Sequence, residues 1–305
     1  MYEEYFGLKK APFCLTPDPS FLYQGAAHRE ALASLIYGVR AQRGFIALVG
    51  EPGTGKSTLI QTLLEDLHEE VRTALITHTT VDRVEILRMI VHELDIPDEG
   101  LGRVEMLRQL NELVIEELKG GRLPPLLIID EAQGLSDEVL EEIRLLTNLE
   151  ISGAKLLQVL LAGQPELESR LQSPRLRQLR QRIAVHAKLR PLARDEVAAY
   201  VDHRLRVAGG GQVRLFTEPA LHAIWEASGG IPRLINALCD LSMMNAYGAE
   251  KSRVDLSLAE EAIRDTGLGP EQDQNVSRGF FQRLRHSMGR SLRRFRFWKL
   301  GREAV

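Results

Sequence analysis

Cysteine is scarce in this chain: Cys14 and Cys239 are its only two, and they lie far apart in 305 residues. That excludes a disulfide framework and a cysteine-based metal site, and it points to a reducing compartment in which both thiols serve as small buried hydrophobes. Long apolar runs are also missing, since no window reaches the roughly 18 consecutive apolar residues of a membrane-spanning helix. The opening Met1-Tyr2-Glu3-Glu4-Tyr5 is acidic where a secretory leader is basic. These absences imply a soluble cytoplasmic protein, at most peripheral at the inner face of the cell membrane. A 44% hydrophobic content is ample for a packed core and suits one large domain or two ordinary ones.

Acidic residues are absent from one stretch. Between Val276 and Arg302 there are nine Arg/Lys and no Asp/Glu, which leaves 30 basic and 42 acidic residues in the rest of a chain whose net charge is −3. In this tail Phe281, Leu284, Met288, Leu292 and Phe295 recur at helical spacing among arginines. A basic amphipathic helix over 278–302 would suit an anionic membrane surface, nucleic acid or a protein partner, and a disordered solubilising tail is the fourth reading.

What the chain does contain is more specific. Gly50-Glu51-Pro52-Gly53-Thr54-Gly55-Lys56-Ser57 fits G-x-x-x-x-G-K-[ST] and follows the apolar run Phe45-Ile46-Ala47-Leu48-Val49. Helical periodicity begins at Thr58 and runs through Leu67. Strand, glycine loop and helix in that order form a phosphate cradle. Backbone N–H groups surround the phosphates, Lys56 reaches the β/γ-phosphates, and the Ser57 hydroxyl suits Mg²⁺. The pattern predicts binding of ATP or GTP.

Strand and helix patterns then alternate, as a parallel α/β sheet requires. A second strand is expected near Ala74–Thr79, with helices over Val84–Leu94 and Val104–Leu118. Leu126-Leu127-Ile128-Ile129-Asp130-Glu131 reads as a buried strand whose end carries two carboxylates, Asp130 for the Mg²⁺ shell and Glu131 to polarise the attacking water. A helix is expected over Asp137–Leu149, followed by a strand over Leu156–Ala162 that delivers Gln164 beside the acidic strand. The arginine-dense 171–182 segment ends at Arg182, just before the alternating Ile183–Leu189, where a guanidinium could reach the phosphates of a neighbouring subunit. From Arg194 onward only helical patterns remain, and Gly229-Gly230-Ile231-Pro232-Arg233 places Arg233 in the first turn of one of them.

Taken together these residues resemble an AAA+ ATPase, and more narrowly the ExeA/GspA-type ATPases of the general secretion pathway. The narrower likeness rests on Tyr5-Phe6-Gly7-Leu8, Pro12-Phe13, Thr16-Pro17-Asp18-Pro19, His28-Arg29-Glu30-Ala31-Leu32, Asp130-Glu131-Ala132-Gln133, Leu161-Ala162-Gly163-Gln164-Pro165-Glu166-Leu167 and Gly229 to Asn236. It implies a three-layer P-loop NTPase core over 45–192 behind an entry segment over 1–44 that packs on that core. An all-helical lid over 193–269 and the tail over 270–305 would follow. It further implies Walker A at Lys56 and Ser57, Walker B at Asp130 and Glu131, sensor 1 at Gln164, an arginine finger at Arg182 and sensor 2 at Arg233. ATP with Mg²⁺, a ring-like homo-oligomer and a partner in a secretion or envelope assembly come with the resemblance. Such proteins commonly continue into a membrane-spanning helix and a peptidoglycan-binding domain; neither pattern occurs here, so direct cell-wall remodelling is not expected. Two other readings stay open: a DNA-associated regulator resembling TniB/TnsC-type transposition ATPases, and a nucleotide-gated scaffold with little turnover.

Overall fold

The computed structural model describes residues 2–14, 18–147, 150–151, 154–155, 157–210 and 214–268. The expected tail helix and the Thr16-Pro17 part of the entry motif lie outside the described residues. The chain opens with a short helix α1 (Tyr2–Tyr5) and a long one, α2 (Ala26–Arg40), before strand β1 (Phe45–Gly50) and helix α3 (Lys56–Leu67). Strand β2 (Val71–Ile76), helices α4 (Arg83–Glu93) and α5 (Arg103–Lys119), strand β3 (Leu123–Ile129) and helix α6 (Asp137–Leu146) follow. A two-stranded hairpin, β4 (Glu150–Ile151) with β5 (Ala154–Lys155), precedes β6 (Gln158–Gly163), α7 (Pro165–Leu171), α8 (Arg177–Arg180) and β7 (Ile183–Leu189). Four helices close the fold: α9 (Arg194–Val207), α10 (Glu218–Ser228), α11 (Pro232–Gly248) and α12 (Leu256–Thr266).

Five strands form one parallel sheet in the order β2-β3-β6-β1-β7. Central strands in such a sheet are covered on both faces and so read as unbroken apolar runs. Alternate residues divide between the two faces. Phe45, Ala47, Leu127, Ile129, Val159 and Leu161 join the cluster under α4 to α8, whereas Ile46, Leu48, Leu126, Ile128, Leu160 and Ala162 pack with α2 and α3. The result is the three-layer αβα core. At the edge, β7 alternates buried Ile183, Ala187 and Leu189 with exposed Ala184, His186 and Lys188, because α2 covers only one of its faces.

Several element bounds differ from the expected ones for local reasons. Strand β2 ends at Ile76 because Asp82 and Glu85 form a reciprocal cap that starts α4, which leaves the polar 77–81 stretch as loop. Strand β3 starts early, at Leu123, and the β2–β3 register shifts between Val71 and Thr73. Pro124 and Pro125 stand opposite that break, and proline has no N–H to give the ladder.

The third apolar cluster is helical. Leu192, Val197, Val201, Ile224, Ile235, Leu238 and Met243 form its centre, joined by Tyr2, Leu8, Phe13 and Phe21 from the start of the chain. Tyr2, Leu8, Phe13 and Phe21 therefore pack with the helical unit, while α2 lies on the sheet. Arg204 of α9 fixes this arrangement by donating to the Pro12 carbonyl at 2.6 Å and the Cys14 carbonyl at 3.4 Å, with Phe21 under its guanidinium. Only the backbone of Cys14 is used: its side chain is exposed, against the expectation of a buried thiol, whereas Cys239 is buried as expected. Among the described residues no helix is long and apolar enough to cross a membrane.

The joint between sheet and helical unit is tight at one point. Leu192 donates its N–H to the Gly230 carbonyl at 2.8 Å, and a Cβ at Gly230, whose φ is +76°, would lie 2.2 Å from the Leu192 carbonyl oxygen. Gly229 also has a positive φ, +57°, but open space around it. Gly230→Ala is expected to destabilise the fold by about 3 kcal/mol or more, and Gly229→Ala by about 1 kcal/mol. Urea denaturation of both variants checks the difference; equal midpoints would show that the joint does not constrain the backbone.

Candidate active site

Because all five strands run the same way, their C-terminal ends meet at one edge of the sheet, and β1 sits there between β6 and β7, where the strand order reverses. The loop leaving β1 turns back through Gly53 and Gly55, with φ of +84° and +102°, conformations that side chains resist. Gly50 is required by space, since a Cβ there would lie 2.8 Å from Thr54 Oγ1 and 3.0 Å from the Leu189 carbonyl oxygen. Thr54 Oγ1 donates to the Glu51 carbonyl at 2.8 Å and closes the loop on itself beside exposed Pro52. Lys56, Ser57 and Thr58 form the first turn of α3, whose N–H groups have no carbonyl one turn back and favour an anion.

Lys56 is 5% exposed, and its ammonium donates to the Gly50 carbonyl at 2.7 Å and the Glu51 carbonyl at 3.2 Å. Burial pulls its pKa below the usual lysine value, with Glu131 and Asp130 acting in the opposite direction. Ser57 Oγ donates to Asp130 Oδ2 at 2.7 Å, so the loop and the end of β3 already share a hydrogen bond. Asp130 Oδ1 accepts the Glu131 N–H at 2.9 Å.

Glu131 adopts φ +54°, a left-handed backbone that costs a non-glycine residue about 1 kcal/mol, and its side chain is exposed at the strand edge. Two amides meet its Oε2. One is Gln164 Nε2, at 2.9 Å, from the end of β6; the other is Gln133 Nε2 from the turn after Glu131. Among the described residues no group of three His, Cys, Asp or Glu side chains could hold a metal unaided. A divalent cation at the Ser57–Asp130 pair would complete its shell with phosphate oxygens and water.

The remaining walls come from both ends of the chain. His28 of α2 is buried, and its Nε2 lies 3.1 Å from the Thr54 carbonyl, which can only accept, so Nε2 carries the hydrogen. Burial lowers the His28 pKa and favours the neutral ring. Arg233, at the second position of α11, donates its backbone N–H to the Gly53 carbonyl at 3.2 Å. Its Cβ would lie 2.7 Å from any Cβ at Gly53, and partial burial lowers the guanidinium pKa.

The structure thus gathers Gly50 to Thr58, Asp130, Glu131, Gln164 and Arg233 at one place. It does not bring Arg182 there. Arg182 immediately precedes Ile183, which pairs with Phe45 at the N-terminal end of β1, a strand length of about 20 Å from the loop. Sequence reasoning missed the contacts of Gln133 and His28. Both sit in motif stretches, Asp130 to Gln133 and His28 to Leu32, but neither stretch shows that an amide folds back on the carboxylate or that the ring reaches the loop.

Residues 39–171 match the AAA domain family. Over 274 residues the chain is 42% identical to General secretion pathway protein A of Aeromonas hydrophila, a match that covers 88% of this chain and 50% of that protein. The chain therefore spans about half the length of the relative it matches. Among solved structures it is similar to the ORC2 protein of Aeropyrum pernix in its ADPNP-ADP complexes, with a TM-score of 0.61 at 18% identity over 84% of this chain and 72% of that one. It is also similar to CDC6P of Pyrobaculum aerophilum, with a TM-score of 0.59 at 22% identity over 78% and 68% of the two chains. RuvB of Thermotoga maritima matches with a TM-score of 0.56 at 16% identity over 85% and 74%. At these identities the solved structures share the fold alone. Residues 39–171 thus carry an AAA domain on a parallel sheet with a phosphate loop, and 88% of the chain is similar in sequence to General secretion pathway protein A.

Proposed function

We propose that this chain binds ATP with Mg²⁺ and hydrolyses it, as the ATP-driven element of a secretion or cell-envelope assembly. The observation that carries the reading is the 2.7 Å hydrogen bond from Ser57 Oγ to Asp130 Oδ2 beside the Lys56 ammonium, with Glu131 next to both. A hydroxyl and a carboxylate are hard oxygen donors of the kind Mg²⁺ prefers, and two protein ligands suit a cation whose other ligands are phosphates and water. When bound there, Mg²⁺ supplies charge neutralisation at the phosphate oxygens. Lys56 adds a buried positive charge to the same group, and the left-handed loop glycines let backbone N–H groups reach it. Glu131 orients water for in-line attack and takes its proton, and Gln164 stands beside it at the edge of β6.

Arg233 and the helical unit add a route from nucleotide to motion. The backbone of Arg233 is hydrogen-bonded to Gly53, so a phosphate that reshapes the loop also acts on α11. A neighbouring copy supplying Arg182 would complete the charge balance, which suits a homo-oligomer with nucleotide at its interfaces. The adenine nucleotides named for the Aeropyrum ORC2 complexes favour ATP over GTP. The secretion setting comes from the relative's name and from its likeness over 88% of this chain.

Lys56→Ala is expected to weaken ATP binding by about 50-fold or more, read by titration calorimetry, because it removes the charge that meets the phosphates. Glu131→Gln should keep ATP affinity within about threefold while phosphate release falls by about 100-fold or more. Normal turnover by the Glu131→Gln protein would overturn its role as the base. Chelation with EDTA should stop phosphate release and added MgCl₂ should restore it; turnover that persists in EDTA rejects the metal assignment.

A further inference from the structure

Of the two carboxylates at the end of β3 Glu131 is the exposed one, and its backbone is left-handed, so something besides packing has to set where its oxygens point. Gln133 is placed to do so. Its Oε1 accepts the backbone N–H of Gln164 at 3.1 Å, and its Nε2 donates to Glu131 Oε2. Neither end can be reversed, because an N–H only donates and a carboxylate only accepts. The amide spans from the end of β6 to the carboxylate, and it lies close against Gly163, where a Cβ would come within 2.7 Å of Gln133 Oε1.

The backbone of Gln133 is fixed just as firmly. Arg170 of α7 donates to the Gln133 carbonyl at 2.7 Å, to the Leu135 carbonyl at 2.6 Å and to Asp137 Oδ1 at 2.6 Å. One guanidinium thus ties Gln133 and Leu135 of the turn after Glu131 to Asp137 at the start of α6. With Gln164 Nε2 also on Oε2, that oxygen is held by two donors, which leaves Oε1 as the one to meet a water.

We propose that Gln133 is a positioning residue that orients the Glu131 carboxylate for water activation and ties its orientation to the end of β6, an inference that rests on the hydrolytic reading of Glu131. It acts through Glu131 and has no contact with the phosphate loop to make. Its loss is therefore expected to change turnover and leave nucleotide affinity alone.

The test uses the full chain with MgATP. Gln133→Met keeps the length of the side chain and removes both hydrogen bonds; Gln133→Asn keeps the amide but is one methylene too short to span from Gln164 to Glu131. Both are expected to bind ATP within about threefold of the unaltered chain, with KM similarly unchanged, and to lose about 10- to 100-fold in kcat. In a Glu131→Gln background, single-turnover phosphate release should show no further loss on adding Gln133→Met, because the two residues act as one unit. Unchanged or increased kcat in Gln133→Met overturns the proposal, as does a loss of equal size in the Glu131→Gln background or a parallel loss of ATP affinity. If Gln133→Met does not fold by circular dichroism, the Asn variant decides by the same measures. Should the unaltered chain release no phosphate, or Glu131→Gln release it normally, the hydrolytic reading fails and this inference falls with it; normal kcat in the Gln133 variants beside an inactive Glu131→Gln protein removes this inference alone.

Discussion

Burying the ammonium of Lys56 is the requirement around which the site is arranged. A charged group at 5% exposure is costly unless acceptors surround it, and two backbone carbonyls and a nearby pair of carboxylates supply them. The carbonyls belong to Gly50 and Glu51, which can turn toward Lys56 only because the loop bends through Gly53 and Gly55. The carboxylates arrive because β3 runs parallel to β1 and ends at the same edge. The same sheet polarity brings Gln164 beside Glu131. Loop, acidic pair and amides are thus three outcomes of one arrangement, a parallel sheet covered on both faces.

Much of this was legible in the sequence for a physical reason. Buried parallel strands are written as plain apolar runs, and the glycine loop is specified by residues that tolerate left-handed backbone, so β1, β3, β6, the loop and Asp130-Glu131 could be read directly. Contacts that depend on chain reversal were not legible. Gln133 sits two residues after Glu131 in any conformation, but only the left-handed backbone of Glu131 and the grip of Arg170 turn its amide back. The β4–β5 hairpin was missed because its strands are two residues each, too short for alternation to show. The packing of Tyr2, Leu8, Phe13 and Phe21 with the helical unit was missed because aromatic content shows that a segment is buried without showing against what.

The loop is also where two separately cored units touch. On one side the sheet clusters hold β1 and α3; on the other the helical cluster holds α11, and the Arg233 N–H to Gly53 carbonyl contact joins them. The Leu192–Gly230 contact holds the two units close at their covalent joint. Both contacts lie on the boundary between the sheet and the helical unit. This sits well with a fold shared, at low identity, with ORC2, CDC6P and RuvB, whose sequences have diverged while the layout of sheet and helices has not.

The placement of the first residues in the helical unit has a consequence for how the molecule is made. Tyr2 bonds to Asp240, 238 positions later in the chain. At roughly 5–20 residues per second of synthesis, the aromatic segment waits on the order of 10–50 s after leaving the ribosome before its partners exist. During that time the sheet between them has all of its strands and can close first. The segment that holds Tyr2 is thus made well before its partners and is among the last parts to be buried, and in the interval its aromatic side chains are exposed.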